Sequence, residues 1–489
     1  MCGPAWRRSP TGTSSRPKPV TAVADTVAES AAGNRYDVAV IGAGPAGMAA
    51  AAAAAENGLH VALIEGGRQL GGQYFRHPAP GLNEPWASQL HHGWSRFETL
   101  ATRVETSSRI DVLFEHQVWA VEAGFNILTD RGPIAAAHVV LATGSYERVV
   151  PFPGWDLPGV FTAGGAQALL KGNLVLPGRR VVVAGTGPLL LPVAASLSVA
   201  GAKVLGLFEA NHIRGYAKHP LPLLKNPAKL LEGADFARQF LRARVPLRSG
   251  LMVVEAQGTD ALEAVIVARP DGTHRRRIAC DALAVGYGLA PQIDLALTLG
   301  CEHKLLTDGT VALRVDTNQR TSLPGCYAVG ETAGIAGVES ALVEGEIAGL
   351  AVAAGVAKSR NGSPAALRRR RDRLRAFADV LRARHPVPPA WRDHLAPDTL
   401  VCRCEEVPAR AVAEAVEDLG ATDARTVKLL TRAGMGWCQG RVCGYAVACL
   451  ARRDPTEPPN PADLLAAAKR PLARPVPLGV LAEQDRRNK

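Results

Sequence analysis

Cysteine is absent from residues 3 to 279 of this 489-residue chain, whereas five of its nine cysteines fall between residues 398 and 452. The gap excludes a redox dithiol anywhere in the first half. An export signal is missing too: residues 1–34 carry Arg7, Arg8, Arg16 and Lys18 but no apolar stretch. We expect these 34 residues to be a disordered leader or a mis-assigned start. The remainder is expected to work in a reducing cytoplasm, or peripheral to the inner membrane, where clustered cysteines serve metal or catalysis more often than disulfides. No 18-residue apolar run is free of glycine and proline. The nearest, Val181 to Ala200, contains Gly185, Gly187, Pro188 and Pro192 and reads as strand, turn and helix, so no transmembrane segment is expected. G-x-S-x-G, H-E-x-x-H and P-loop signatures are also lacking.

The charge excess is concentrated. Lys and Arg number 56 against 45 acidic residues, and Arg368 to Arg384 alone holds eight Arg and two Asp, more than half of the net +11. Such a run reads as a solvated helix face. Phe377 is its sole aromatic, so the base-stacking platform of a nucleic-acid groove is missing and no nucleic-acid partner is expected. With 47% apolar and 21% charged residues the chain is globular, and its length suggests about three domains.

What is present begins with a strand at Tyr36 to Ile41, a helix from Pro45 to Asn57 with seven consecutive alanines, and a strand from Leu59 to Ile64 ending in Glu65. Between the first two lies Gly42-Ala-Gly44-Pro45-Ala46-Gly47. Gly42 permits a tight turn, Gly44 lets the backbone approach a pyrophosphate, and Gly47 lets helix and strand pack closely. The helix start supplies free N–H groups to phosphate, and Glu65 suits ribose hydroxyls. The competing reading is a glycine-rich turn under an alanine-rich core helix. The pattern returns 143 residues later: a strand at Arg180 to Ala184, a helix at Pro188 to Ala200 and a strand at Lys203 to Phe208, closed by Glu209. Here Gly185 and Gly187 are present, but Leu190 replaces the third glycine. It should push helix from strand or fill the groove, so NAD(P) binding through Gly185, Gly187 and Glu209 competes with a structural relic or another nucleotide.

Further on, Leu141-Ala-Thr143-Gly144 ends an apolar stretch, and Gly330-Glu331 follows a buried strand at Cys326 to Val329. A helix is expected over Gly345 to Ala357, a linker at 358–364, and a helix with Leu374, Phe377 and Leu381 on one stripe. The C-terminal unit opens with Val401-Cys402-Arg-Cys404-Glu and closes with Gly434-Met-Gly436-Trp-Cys438-Gln-Gly440-Arg-Val-Cys443-Gly444, with 33 residues between Cys404 and Cys438. Four thiolates can ligate a [2Fe–2S] cluster, two per iron, with glycines turning backbone N–H groups toward sulfur. Structural zinc is the alternative, but Cys-x-Cys is a poor zinc start. Cys280, Cys326 and Cys449 read as small core residues. His91-His92, His212 and His219 are weak site candidates.

Together these features resemble the two-dinucleotide-domain flavoprotein superfamily, which includes the pyridine nucleotide–disulfide oxidoreductases, fused to a bacterioferritin-associated-ferredoxin-like [2Fe–2S] domain. Over residues 35–455 the chain is similar to the FAD subunits of opine oxidase, of hydrogen cyanide synthase and of dye-linked proline or hydroxyproline dehydrogenases. The resemblance implies an α/β fold with two Rossmann-like domains, the second inserted in the first, and a small helical C-terminal cluster domain. The implied limits are a leader at 1–34, FAD-binding parts at 35–150 and 296–357, an NAD(P)-binding-like insert at 151–295, an Arg-rich linker helix at 358–397, a cluster domain at 398–452 and a Pro-rich tail at 453–489.

FAD would be held by Gly42, Gly44, Pro45, Ala46, Gly47 and Glu65, by Gly72 and Gln73 of Gly71-Gly72-Gln73, by Thr143 and Gly144, and by Gly330 and Glu331, where the family usually has Asp. The cluster would be held by Cys402, Cys404, Cys438 and Cys443; the family's domain usually ends in Cys-x-x-Cys, whereas this one has four intervening residues. Without a cysteine pair beside the flavin, the dithiol mechanism of the disulfide reductases is ruled out. The implied activity is electron relay in oxidation of a C–N bond of an amino-acid-type substrate, with a D-amino-acid-oxidase-like partner. An NAD(P)H-dependent reductase feeding the cluster, or a non-catalytic redox carrier, are the alternatives. No residue stands out as a general base.

Overall fold

A computed structural model describes residues 36–487 apart from 83, 85, 92, 213–225, 357–363 and 455–456. The expected leader, His92, His219 and nearly all of the expected linker lie outside the described residues.

The chain enters at β1 (Tyr36–Ile41), α1 (Pro45–Glu56) and β2 (Val61–Ile64). Pro45 starts α1 where no N–H partner is needed, and Gly58, with φ of +92°, follows its end. After α2 (Trp94–Glu105) and β3 (Ile110–Leu113), the strands β4 (Val118–Glu122), β5 (Asn126–Thr129) and β6 (Gly132–Leu141) form a meander. The sheet order is β3-β2-β1-β6-β5-β4, with β1 parallel to both β2 and β6.

The chain leaves through β7 (Ser145–Glu147) and builds a second parallel sheet. Its elements are β8 (Val160–Thr162), α3 (Ala163–Asn173), β9 (Arg180–Gly185), α4 (Leu190–Val199), β10 (Lys203–Glu209), α5 (Pro227–Ala243) and β11 (Leu247–Ser249). An antiparallel layer of β12 (Met252–Gln257), β13 (Ala264–Ala268) and β14 (Arg276–Ala279) precedes β15 (Ala282–Gly286), which closes the order β11-β10-β9-β15-β8. β16 (Leu289–Pro291) pairs with β7 and returns the chain to the first unit through α6 (Asp294–Thr298) and the hairpin β17 (His303–Leu305) and β18 (Val311–Leu313). There β19 (Cys326–Ala328) joins β6 in parallel. The two Rossmann-like units are therefore nested, the second inside the first.

Two long helices follow, α7 (Val338–Val356) and α8 (Pro364–Arg384). α7 begins seven residues earlier than expected because its first turns hold up the Gly330-Glu331 loop. Every alanine from Ala49 to Ala55 is buried. One side of α1 lies on the sheet and the other meets α7, where a Cβ on Gly345 would lie 2.1 Å from the Ala46 carbonyl and one on Gly349 2.5 Å from that of Ala50. Small residues on both helices permit this close crossing.

The Arg-rich helix departs from expectation. Leu374, Phe377 and Leu381 are half-buried, while the core positions are Ala378 and Val380. The arginines divide: Arg369, Arg370 and Arg373 are exposed as expected, whereas the side chains of Arg371, Arg375 and Arg382 are largely covered and reach Thr317, Glu344 and Asp308 of the first unit.

The C-terminal unit comprises β20 (Leu400–Cys402), β21 (Val407–Pro408), α9 (Ala409–Glu417), α10 (Ala424–Thr431) and α11 (Gly444–Leu450), followed by α12 (Pro461–Ala468) and α13 (Leu478–Arg487). Val401, Val412, Val416, Val427 and Val447 form its core, which continues into the antiparallel layer through Met252 and Val254. Among the described residues no helix is long and apolar enough to cross a membrane.

Candidate functional site

The first glycine loop is shaped by contact rather than by flexibility. A Cβ on Gly42 would lie 2.4 Å from the Ala142 carbonyl oxygen, and one on Gly47 1.8 Å from the Gly42 carbonyl oxygen. Both positions are therefore closed to any larger residue. Gly44 differs: a Cβ there would meet nothing nearer than Gly72 Cα at 4.0 Å, while one on Gly72 would lie 2.8 Å from Gly44 Cα, so the two loops meet as bare backbone and form a cradle at the start of α1. The Gly71 N–H donates to the Ala43 carbonyl at 2.9 Å and fixes the two loops together. Glu65, at the end of β2, accepts from the Ala43 N–H at 2.8 Å and the Gly67 N–H at 2.7 Å. Its carboxylate stands at the cradle's edge and is only partly buried. A pyrophosphate fits this place, since its charge meets a helix N-terminus with no side chain in the way.

Thr143, Gly144, Gly330 and Glu331 come together on the far side. Thr143 Oγ1 donates to the Gln292 carbonyl at 2.6 Å, and the Gly144 N–H donates to Thr332 Oγ1 at 3.2 Å. The Ser145 hydroxyl donates to the Glu331 carboxylate. Burial pushes the Glu331 carboxyl up, while Ser145 and Arg375 pull it back. Gly330 has φ of +66° and would clash with Ala46 Cβ at 2.9 Å if it carried a Cβ. Its N–H donates to Glu344 Oε2 at 3.0 Å. Glu344 is fully buried on α7 and takes a two-pronged contact from Arg375 of α8, with Nε and Nη2 each 2.7 Å from a carboxylate oxygen. Arg375 Nη1 also donates to the Gly334 carbonyl at 2.8 Å. The pair holds the loop from beneath. Neither residue stands out in the sequence, because a Glu inside an apolar helix and an Arg in a basic run have no local signature.

The second glycine loop is built like the first at its two leading glycines, a Cβ on Gly187 meeting nothing within 4 Å, and differs at its helix start and its acid. Gly185 packs so tightly that a Cβ would meet the Gly286 carbonyl at 1.8 Å. Leu190 is buried, fills the groove beside Gly286, and begins α4 three residues after Gly187, whereas α1 begins directly after Gly44. Glu209 is 5% exposed, and its carboxylate accepts from the Gly187 N–H at 3.0 Å and the Asn211 N–H at 3.0 Å. His385 Nδ1, just past α8, lies 3.2 Å away. Burial alone would raise the Glu209 carboxyl, but His385 and these N–H groups bring it below its ordinary value. Like Glu65, this acid accepts two N–H groups of its own chain; unlike Glu65 it is also buried and in contact with an imidazole.

The four expected cysteines meet at one end of the C-terminal unit. Cys402 leaves β20 and Cys443 immediately precedes α11, their thiols close enough to act on one another, and Cys404 and Cys438 form a second such pair. Cys402 and Cys443 are buried, Cys404 is exposed and Cys438 is between. The Cys443 thiol, with backbone N–H groups of Gly434, Glu405 and Cys404, lowers Cys402 to about 5 against the effect of burial. Among the described residues no three His, Cys, Asp or Glu side chains surround a single-ion position. Two contacting thiol pairs and a nest of N–H groups fit a two-iron cluster better than one tetrahedral ion. Gly436 is obligatory, because its Cβ would lie 2.2 Å from Cys404 Cβ.

A buried clasp ties this loop to the first unit. Asp294 of α6 is 2% exposed and lies 2.5 Å from Arg470 Nη1 and 3.3 Å from Arg441 Nη2. Arg470 Nε donates to the Gln439 carbonyl at 2.8 Å, and Arg441 Nη1 donates to Gln439 Oε1 at 2.8 Å. Beside it, the Arg148 guanidinium stacks 4.6 Å over the Tyr445 ring. Of the remaining cysteines, Cys280, Cys326 and Cys449 are core residues, although Cys280 lies just past β14. Cys301 has no sequence pattern around it, yet its sulfur lies 4.0 Å from that of Cys326 in the core.

The family model for pyridine nucleotide-disulphide oxidoreductases matches residues 36–355, and that for BFD-like [2Fe-2S] binding domains matches residues 400–452. The chain belongs to the pyridine nucleotide-disulphide oxidoreductase family and carries a BFD-like [2Fe–2S] domain. It is an FAD-dependent oxidoreductase, with FAD and a [2Fe–2S] cluster as cofactors. It is 36% identical to the HcnB subunit of hydrogen cyanide synthase from Pseudomonas protegens, with 83% of this chain and 90% of the relative covered. It is 32% identical to an opine oxidase subunit from Agrobacterium tumefaciens, with 91% of each covered. Among solved structures, the L-proline dehydrogenase of P. horikoshii shares the fold at a TM-score of 0.64 and 23% identity, with 92% of this chain and 79% of that chain covered.

Proposed function

We propose that this chain is the electron-relaying subunit of a hetero-oligomeric complex that oxidises a C–N bond of an amino-acid-type substrate, of the opine, proline or hydroxyproline, or glycine class. A D-amino-acid-oxidase-like flavoprotein is the proposed partner, and it carries the substrate pocket. The observation that carries this reading is the pairing, in one body, of a dinucleotide cradle of bare glycine backbone and a four-thiol group, with no cysteine pair lining the cradle among the described residues. Relatives that are subunits of opine oxidase and of hydrogen cyanide synthase support it.

In this reading the first turn of α1, from Gly42 to Gly47, takes the pyrophosphate and Glu65 the ribose. Gly72, Gln73, Thr143, Gly144, Gly330 and Glu331 line the rest of the cofactor, and Cys402, Cys404, Cys438 and Cys443 hold the cluster. When bound, the flavin accepts an electron pair and the cluster passes electrons singly. The inserted unit, its acid buried against His385 and Leu190 standing where the third glycine would be, acts as a spacer rather than as an NAD(P)H site.

The deciding experiment is co-expression with an amine-oxidising flavoprotein. Dye reduction by proline, hydroxyproline, glycine or an opine should require both chains, and Cys402→Ser or Cys438→Ser should remove the cluster's visible absorption and EPR signal while FAD stays bound. Rapid anaerobic bleaching of the isolated flavoprotein by NADH or NADPH would instead make it a nicotinamide-dependent reductase.

A further inference from the structure

A pocket opens beside the Gly71-Gly72-Gln73 loop, between the first unit and the inserted one. Tyr74 forms one wall, and Gln167 and Lys171 of α3 line another. Leu189, Pro192 and Phe236 supply an apolar side. Lys171 is 7% exposed, yet among the described residues it has no hydrogen bond or ion pair, and its ammonium faces the Tyr74 ring at 5.9 Å. The segment 213–225 contains no Asp or Glu that could neutralise it. A second cation adjoins it: Arg76 packs against Gly172, its Nη2 donates to Gln73 Oε1 at 2.7 Å, and its buried Nε has no partner among the described residues.

An unpaired, largely buried ammonium on a cavity wall is unfavourable unless an anion completes it. Burial lowers Lys171 to about 8, so at neutral pH it still carries its charge for most of the time. The one carboxylate on the pocket wall is Glu232 of α5. Its charge acts on the Tyr74 phenol, whereas burial alone accounts for the shift of Lys171. The other polar groups on the wall, chiefly amides and the phenol, cannot neutralise an ammonium.

We propose that this pocket binds a small organic anion, with its charged end at Lys171 and its hydrocarbon part against Leu189, Pro192 and Phe236. Carboxylates and phosphate monoesters share this chemistry. The site does not depend on which amine the complex oxidises.

The test is acetylation of Lys171 in the full-length flavoprotein by acetic anhydride near pH 8, followed by mass spectrometry. Hexanoate, hexyl phosphate, acetate and inorganic phosphate are the four additives. One alkyl anion should slow modification about tenfold when present at about ten times its Kd, and whichever does so tells carboxylate from phosphate. Acetate and inorganic phosphate should protect far less. Calorimetry should detect that anion binding to the unaltered protein but not to Lys171→Met with equal flavin content. Lys171 modified at one rate under all conditions, equal protection by all four additives, or full binding to Lys171→Met would overturn the proposal. The protection arm uses the unaltered protein and so does not depend on the variant's folding.

Discussion

Single residues here act mainly through what they leave unpaired. Glu344 is fully buried, and its carboxylate is met by the Arg375 guanidinium, the Ser340 hydroxyl and the Gly330 N–H. Arg375→Met strands that carboxylate, and chemical denaturation should report a loss of about 3–5 kcal/mol, along with weaker FAD retention. The double variant with Glu344→Gln should recover part of the loss, since the charge itself is gone. Lys171 has the opposite sign. Its folded-state pKa of about 8 lies below the ordinary 10.5, so the penalty for its burial is fully present below pH 8. Between the two values the unfolded chain holds a proton that the folded chain has released, so this contribution to stability rises with pH across that window. In Lys171→Met the pH dependence of denaturation over the same window should flatten, and at pH 7 the variant should be the more stable protein.

At the scale of elements, the crossing of α1 and α7 decides whether the cradle exists. α1 presents the first glycine loop at its N-terminus, and α7 carries Glu344 and leads back to the Gly330-Glu331 loop. Gly349→Val would drive a branched side chain into the Ala50 carbonyl, 2.5 Å from the first added carbon. We expect destabilisation of about 1–3 kcal/mol or more and a fall in bound FAD, measured by flavin released on denaturation, with the cluster's EPR signal preserved. The βαβ repeats, α1 with its proline start and glycine stop, and the four-cysteine spacing were all legible along the chain, because each is a local pattern of chirality, propensity or ligand spacing. The start of α7 was not, because its first turns are stabilised by packing under a loop rather than by their own sequence. Nor was the role of the arginine helix. Charge density suggested solvent, whereas a guanidinium can reach carbonyls and carboxylates of neighbouring loops while its stem lies on the surface.

Across the whole molecule, the Asp294–Arg441–Arg470 clasp makes the cluster loop part of the flavin-binding body. Asp294→Ala would leave two largely buried guanidinium groups without their acid. Limited proteolysis should then cut the chain before residue 400 several-fold faster, while the amount of FAD bound stays the same. On the outer side, Trp437 is 79% exposed next to Cys438 and close to the exposed Cys404. An aromatic of that size beside an electron-transfer centre suits a contact with the proposed partner. Trp437→Ala should reduce co-purification of the amine-oxidising chain by about tenfold or more without changing the cluster's EPR signal.

The primary structure by itself determined the two nucleotide-type units, the cofactor class and the four-cysteine pattern proposed to hold the cluster, since each requires particular residues within a short stretch. Only the tertiary structure decided how the two nucleotide-type loops differ. Gly44 and Gly72 meet backbone to backbone with Glu65 part-exposed beside them, whereas Glu209 is buried against Asn211 and His385, 176 residues away along the chain. The same holds for Asp294, Glu344 and Lys171. Whether a buried charge is paired, and with what, depends on neighbours brought in from distant elements, and no local pattern encodes that distance.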